Sequence, residues 1–346
     1  MTDRRFKTPI YILFAIVTLA TILLCTAVGS VYIPLPDSLR AIWNALAHWI
    51  SGSPSTLDAV AGIVPYIRLP RVLCAGLVGA ALALSGCSMQ GLLKNPLADG
   101  STLGVSAGAS LGAVIAISFG LTIPLLPIAG TTIMASLFAF LSLLLILALT
   151  YKLDYSLSTN TIILVGVIFA MFASALISIL IVFAGQQATH IVFWTMGSLQ
   201  GRGYEYVLMM ALVLAIFGSI LMSLRRELNA FAIGEDNARH IGVNVNRVKL
   251  LVLICTSVLI GTCVSVGGTI AFVGLVTPHI VRLITGPNHA RLLPASLFGG
   301  AVFLMVSDLI ARTILIPREL PIGVITSIVG ALVFVRIFFV MRKVKR

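Results

Sequence analysis

Residues 79–112 read GAALALSGCSMQGLLKNPLADGSTLGVSAGASLG. A run of small and apolar residues gives way to a polar hairpin, Gln90 to Gly100, which holds Lys94, Asn95, Pro96 and Asp99, and a second apolar run follows at once. In lipid every backbone N–H and C=O must be satisfied within the protein, so two apolar runs joined in this way predict a pair of membrane helices. In the second run Gly100, Gly104, Gly108 and Gly112 recur every four residues, continued by Ala116 and Gly120. Small residues at that spacing let helix backbones approach closely and gain dispersion contacts, which predicts a packing face, with a substrate-facing groove as the alternative. The Pro and Gly of the hairpin suit an ordinary turn and, in transporters, also mark gates and cavity linings.

The rest of the chain extends this pattern. Of 346 residues, 59% are hydrophobic and 10% charged, with a mean hydropathy of +1.11. Ordinary soluble domains are about 45–50% apolar and about 25% charged. The 23 Lys+Arg and 11 Asp+Glu cannot cover a soluble core of this size, which disfavours a soluble enzyme, a nucleic-acid module or a secreted disulfide scaffold. Ten apolar runs bounded by charge, Pro or Gly lie near 9–30, 67–90, 101–120, 124–150, 160–184, 204–224, 246–266, 270–285, 293–315 and 321–342. Each approaches the roughly 20 residues that cross a bilayer core, the third and eighth being short and rich in Gly or Pro. The first run is too long for a signal-peptide core of about 7–15 residues and is expected to stay as a membrane helix.

The net charge of +12 is explained by topology rather than by nucleic acid. With both termini in the cytoplasm, sixteen basic residues fall on the inner side, in the start (Arg4, Arg5, Lys7), the inner connections and the end (Arg342 to Arg346). Six fall outside: Arg40, Arg68, Arg71, Arg202, Arg312 and Arg318. The positive-inside rule favours that orientation and an even number of spans. In the longest outer connection, 31–60, Leu39, Ile42, Trp43, Leu46 and Ile50 recur at helical spacing and predict an amphipathic interfacial helix.

Reactive chemistry is sparse. Only Asp308 among the acidic residues falls well inside a span, and Arg312 lies four residues on, so a structural ion pair is expected there rather than a relay. A carrier of bare metal cations, or one driven by protons, usually needs intramembrane carboxylates or histidines. Cys25, Cys74, Cys87, Cys255 and Cys263 sit in apolar runs without a CxxC pair, which indicates neither disulfides nor zinc. No HExxH, GxSxG or GxxxxGK[ST] motif is present, so a membrane enzyme has little support and any ATP must be bound by another subunit. The longest inner loop, 225–249, reads RRELNAFAIGEDNARHIGVNVNRVK; within it Glu235 to Gly242 predicts a short exposed helix ended by glycine, a handle for a partner. A secondary transporter would instead need an intramembrane coupling-ion site and no such handle.

Five stretches, Arg68-Leu-Pro-Arg71, residues 79–112, AIGEDNARHIGV (232–243), GGTIAFVGLVTPHIVR (267–282) and ELPIGVITSIVGA (319–331), carry a resemblance. The chain resembles the FecCD-type permeases of ABC importers, which take up iron-siderophores, haem and vitamin B12. The resemblance implies one transmembrane permease domain over 1–346. Its fold would be an all-α polytopic, BtuC-like bundle of about ten transmembrane helices, with an inverted repeat of helices two to five against seven to ten. It implies a second permease copy, most simply a homodimer, two ATPase subunits carrying ATP-Mg, an extracytoplasmic substrate-binding protein, and a place in the bacterial cytoplasmic membrane. Neither cofactor nor metal is expected on this chain. Arg68, Arg71 and Arg312 resemble the outer arginines that meet carboxylates of the binding protein, an exchange suited to bidentate guanidinium pairing; Arg318 extends that patch without a family match. Gly234, Glu235, Asp236, Ala238, Arg239 and Gly242 resemble the coupling segment. Asn95, Pro96 and Leu97 resemble one cytoplasmic gate and Ser158, Thr159 and Asn160, which differ in detail, the other. The fifth span is expected to line the path. A chelated-iron substrate, siderophore or haem, is the implied cargo, with cobalamin the alternative.

Overall fold

The computed structural model describes residues 8–29, 31, 33–51, 62–100, 103–121, 129–155 and 158–344. The basic start, residues 52–60 of the outer connection and the last two residues lie outside them. In chain order the helices are α1 (Thr8–Ala27), α2 (Leu35–Ser51), α3 (Leu69–Leu93, continuing a π-turn at Val64–Arg68), α4 (Val105–Ser118), α5 (Ala129–Leu153), α6 (Thr159–Phe183) and α7 (Ala188–Thr195). Next come α8 (Tyr204–Val213) and α9 (Ser219–Ser223), joined by a π-turn into one span, then α10 (Arg225–Ile233) and α11 (Glu235–His240). The last four are α12 (Val245–Gly267), α13 (Val273–Thr285), α14 (His289–Thr313) and α15 (Ile322–Val344). Six of the helical stretches are long and apolar enough to cross a membrane and four shorter apolar helices fall at the other expected positions, so all ten runs read from the sequence are helical.

Helix α3 is the centre: 89% of its most apolar window is buried, against 22% for α6. It packs on α12, α13 and α14. Glycine makes this possible, since a Cβ on Gly79 would strike the Gly300 backbone of α14, and one on Gly86 the Gly274 backbone of α13. The four-residue glycine face of α4 is likewise a packing surface; side chains at Gly108 and Gly112 would run into Ser142, Phe138 and Met134 of α5.

The packing repeats itself in the way the resemblance implies. Helix α3 packs on α14 as α12 packs on α5, α3 on α13 as α12 on α4, and α4 on α5 as α13 on α14. The two short helices also start alike, α4 behind Gly104 (φ +73°) and α13 behind Phe272 (φ +68°). Glycine adopts that left-handed conformation freely, whereas at a phenylalanine it costs on the order of 1–2 kcal/mol. These caps also explain why α4 begins at Val105 and α13 at Val273, a few residues inside the expected runs.

Helix α2 matches the expected amphipathic helix, but its buried side is small: Ser38 and Ala41 face the protein while Leu39, Trp43 and Leu46 are exposed. That arrangement suits a helix lying in a headgroup layer.

Candidate functional site

At one end of the bundle Thr159 of the second expected gate meets the expected coupling segment, and Lys94, just before the first, lines the same cavity. Helix α3 ends at Lys94 in the left-handed conformation; Asn95 Oδ1 accepts from Leu97 N at 2.9 Å, and the Ala98 N–H donates to the Asn95 carbonyl at 3.1 Å, closing the turn through Pro96. Ser158 caps α6 by accepting from Thr161 N, and Asp154 Oδ2 accepts from Ser158 N at 3.1 Å and Thr161 Oγ1 at 3.3 Å. Helix α11 starts behind Gly234 (φ +134°) and ends on Gly242 (φ +88°). Val243 N donates to the Ala238 carbonyl and Gly242 N to that of Arg239, the paired bonds that close a helix on a left-handed glycine. Ala238 is fully buried and seats the helix, whereas Asp236 and Arg239, 4.0 Å apart, are exposed. Ile233 and Ile241, 70% and 68% exposed, flank it.

Glu235 is the meeting point of three elements. Its Oε2 lies 2.8 Å from Lys249 Nζ on α12, and Thr159 Oγ1 at the start of α6 donates to its Oε1 at 3.3 Å. An open cavity of about 580 Å³ beside it is lined by Lys94, Thr159, Asn160, Asp236 and Asn237.

The opposite end holds the arginines, turned inward. Arg71 donates to Asp308 Oδ1 from Nε (3.0 Å) and Nη2 (2.9 Å), and from Nη1 to both oxygens of Glu319 (3.1 and 2.9 Å). Arg312 Nε lies 3.5 Å from Asp308 Oδ2, which is the expected i, i+4 ion pair, and its Nη2 donates to the Cys25 carbonyl. Arg68 donates to the carbonyls of Thr26, Ala27 (2.8 Å) and Val31. Thus two guanidiniums satisfy the carbonyls that the last turn of α1 leaves unpaired, where the helix dipole favours positive charge. Arg68, Arg71 and Arg312 are at most 8% exposed and Asp308 is 1% exposed. Stripping water from such charges costs several kcal/mol per ion unless they are paired, so this cluster must hold together. Arg318, by contrast, is exposed.

Between the ends, a cavity of about 480 Å³ lies beside α6, lined by Asp99, Ser106, Ser110, Ser174, Ser178, Thr195 and Thr269 together with apolar groups. Its size falls within the roughly 300–1,000 Å³ of small-molecule sites. Helix α7 and the turn after it brace this region, with Ser198 N donating to the Gly267 carbonyl and Ile322 N to that of Gly197. Outward from the cavity, α6 presents Leu164, Ile168, Met171, Ile179 and Val182, all more than half exposed.

The sequence profile of the FecCD transport family matches residues 17–342. The chain belongs to the FecCD family. Among its relatives, an uncharacterised ABC transporter permease, YvrB of Bacillus subtilis, is 44% identical over 91% of this chain and 88% of that protein. The hemin transport permease HmuU of Yersinia pestis is 38% identical over 90% and 91%. Permeases named for cobalamin and for molybdate import also match. A solved ABC transporter in an inward-facing conformation, assigned to the metal-chelate type, superposes with a TM-score of 0.83 at 30% identity, covering 96% of this chain and 99% of that one. The chain is therefore the permease of an ABC importer, a transport subunit with an all-α membrane fold.

Within this FecCD permease Thr159 and Asn160, predicted from sequence as gate residues, lie beside the predicted coupling residue Glu235, with Lys94 lining the same cavity. The four arginines share the other, three buried and one exposed. Sequence reasoning missed Glu319 and Lys249. Glu319 opens the quoted 319–331 motif but carries no sign that it reaches Arg71; Lys249 reads as one more inner cation until its burial, 1% exposed, is seen.

Proposed function

We propose that this FecCD permease forms half of the pathway of an ATP-driven importer for a chelated iron compound, a siderophore or haem, in a bacterial cytoplasmic membrane with both termini cytoplasmic. The observation that carries the reading is the contact of α11 with the start of α6 through Glu235 and Thr159: a partner that pushes α11 acts on the entrance to α6 directly. Two ATPase subunits holding ATP-Mg would seat on α11, using Arg239, Asp236, Ile233 and Ile241. A second copy of the chain would pack along the exposed face of α6 and complete the path. A substrate-binding protein would dock at the opposite end through Arg318, with Arg71 becoming available when an incoming carboxylate replaces Glu319. Supporting the cargo are the likeness to a hemin permease and a metal-chelate transporter, and a cavity walled mostly by hydroxyl and apolar groups, with Asp99 its one charged lining residue. The match to a cobalamin permease favours that macrocycle as the second reading.

The test is purification of the tagged chain from its native host, followed by reconstitution and uptake assays with haem, a ferric siderophore and cobalamin. An ATPase subunit in the complex and ATP-dependent uptake of an iron chelate are expected. Transport by a complex lacking any ATPase overturns the importer reading, and uptake of cobalamin alone overturns the iron assignment.

A further inference from the structure

Helix α13 is broken from within and bridged from outside. Pro278 lies inside it and has no N–H, so the Gly274 carbonyl one turn earlier has no donor within the helix. The bridge comes from α3. Gln90 Nε2 donates to the Gly274 carbonyl at 3.3 Å and to that of Leu275 at 3.1 Å, while Gln90 Oε1 accepts from Arg282 Nη2 at 3.2 Å. Carbonyls on one side and a guanidinium on the other settle which way this amide points. Gln90 is 4% exposed, and it reaches α13 because Gly86, one turn back, brings α3 against the Gly274 backbone. Gly274 and Leu275 stand before the break and Arg282 after it, so one side chain spans both halves of α13. The first half carries Phe272 and Gly274 into the wall of the cavity of about 480 Å³. Helix α4, which repeats the packing of α13, has no such break: counted from the left-handed residues that open the two helices, Ser110 stands where α13 has Pro278. Beside the proline, Thr277 Oγ1 and His279 Nδ1 are buried with no hydrogen-bond partner among the described residues. Buried polar groups are nearly always paired, and a change of bend at Pro278 gives both atoms new neighbours. An amide with two N–H donors on successive carbonyls tolerates that motion, since it can lengthen one bond as it shortens the other.

We propose that Gln90 is a positioning residue for transport, a clip across a hinge at Pro278 that holds the cavity half of α13 in place while the Arg282 half swings. This rests on the reading of the cavity as part of the import path.

The clip is tested by melting the full chain, purified with the subunits that accompany it. Gln90→Met keeps the length of the side chain without its donors and is expected to lower the midpoint by about 4 °C or more, because buried carbonyls lose a partner. Pro278→Ala restores the N–H that Gly274 lacks, so in that background the same substitution should cost much less. No drop in the otherwise native chain, or a drop that Pro278→Ala does not reduce, overturns the clip. The hinge is tested with spin labels replacing Leu283 on α13 and Leu332 on α15, 61% and 69% exposed, in the assembled transporter in nanodiscs. Their separation is measured without nucleotide and after trapping with ATP and vanadate. Trapping is expected to shift it by about 2 Å or more in the otherwise native chain, the scale of helix shifts in switching transitions. Pro278→Ala should melt no lower than the native chain and yet lose the shift, a result that a merely structural proline does not give. A shift absent from the native chain, or undiminished by Pro278→Ala, overturns the hinge. Pro278→Leu carries the same N–H and replaces the alanine variant if that one does not assemble; failure of both to assemble overturns the proposal. If no ATPase subunit accompanies the native chain, the importer reading falls and the hinge's part in transport with it, whereas a complex with its ATPase whose labels shift alike with and without Pro278 removes the hinge alone.

Discussion

Replacing Asp308 by Asn tests the ion cluster at the arginine end without changing its volume. Asp308 is 1% exposed and accepts two bonds from Arg71, at 2.9 and 3.0 Å, while Arg312 Nε lies 3.5 Å away. Asparagine can still accept from Arg71, so packing and one hydrogen bond survive. What disappears is the negative charge facing two buried guanidiniums, of which Arg71 keeps Glu319 and Arg312 keeps the Cys25 carbonyl. Breaking a buried pair from one side costs about 3–5 kcal/mol. For a chain longer than 250 residues each kcal/mol moves the melting midpoint by roughly 2 °C, which gives a drop of about 6–10 °C. Asp236→Asn supplies the comparison, because its pair with Arg239 spans 4.0 Å and is exposed, worth about 1 kcal/mol or less. The assay is thermal unfolding of both variants in the same detergent. Arg312→Met added to Asp308→Asn removes the orphaned charge and is expected to recover part of the loss. If Asp308→Asn melts within about 2 °C of Asp236→Asn, the cluster is not the charge-balanced unit inferred from its burial.

Gly86→Ala puts a Cβ into the Gly274 backbone and is expected to yield no monodisperse folded protein, whereas Gly242→Ala meets nothing within 4 Å and should fold at a cost of about 1–2 kcal/mol for its positive φ; size-exclusion profiles compare the two. Met171→Cys, on the exposed face of α6, should form an oxidised dimer in membranes against the silent background of five buried native cysteines; its failure in a folded protein would argue for a different partner. Ile241→Asp should lose the copurifying ATPase subunit while the melting midpoint holds, since its side chain is 68% exposed; an unaffected complex would move the contact elsewhere.

The spans were legible because about twenty consecutive apolar residues have few alternatives in a chain this poor in charge. What composition could not convey is where the two short helices begin, since that depends on the left-handed backbone at Gly104 and Phe272. Helix α7 escaped notice because eight residues are too few to show a period. Of the site, α11 was visible as Glu235 to Gly242, with acids first and a glycine last, while its contact with Thr159 carried no mark in the sequence. The inward turn of Arg68, Arg71 and Arg312 was hidden: an arginine at the end of a span can face water or the bundle, and Arg71 finds its carboxylates 237 and 248 residues further along.

The capping of α1 by residues from distant helices has a consequence for biosynthesis. The carbonyls of Cys25 and Ala27 are completed by donors on Arg312 and Arg68, so α1 enters the membrane long before its far end is finished. At about 5–20 residues per second the ribosome needs roughly 15–60 s to travel from α1 to Arg312. Until then the Cys25 carbonyl must take its hydrogen bond from water or headgroups, which keeps the end of α1 at the interface while the middle of the chain is threaded. Arrival of the ninth span sets Arg312 on the Cys25 carbonyl and its own Asp308 on Arg71, so the first two spans and the ninth come together late in synthesis.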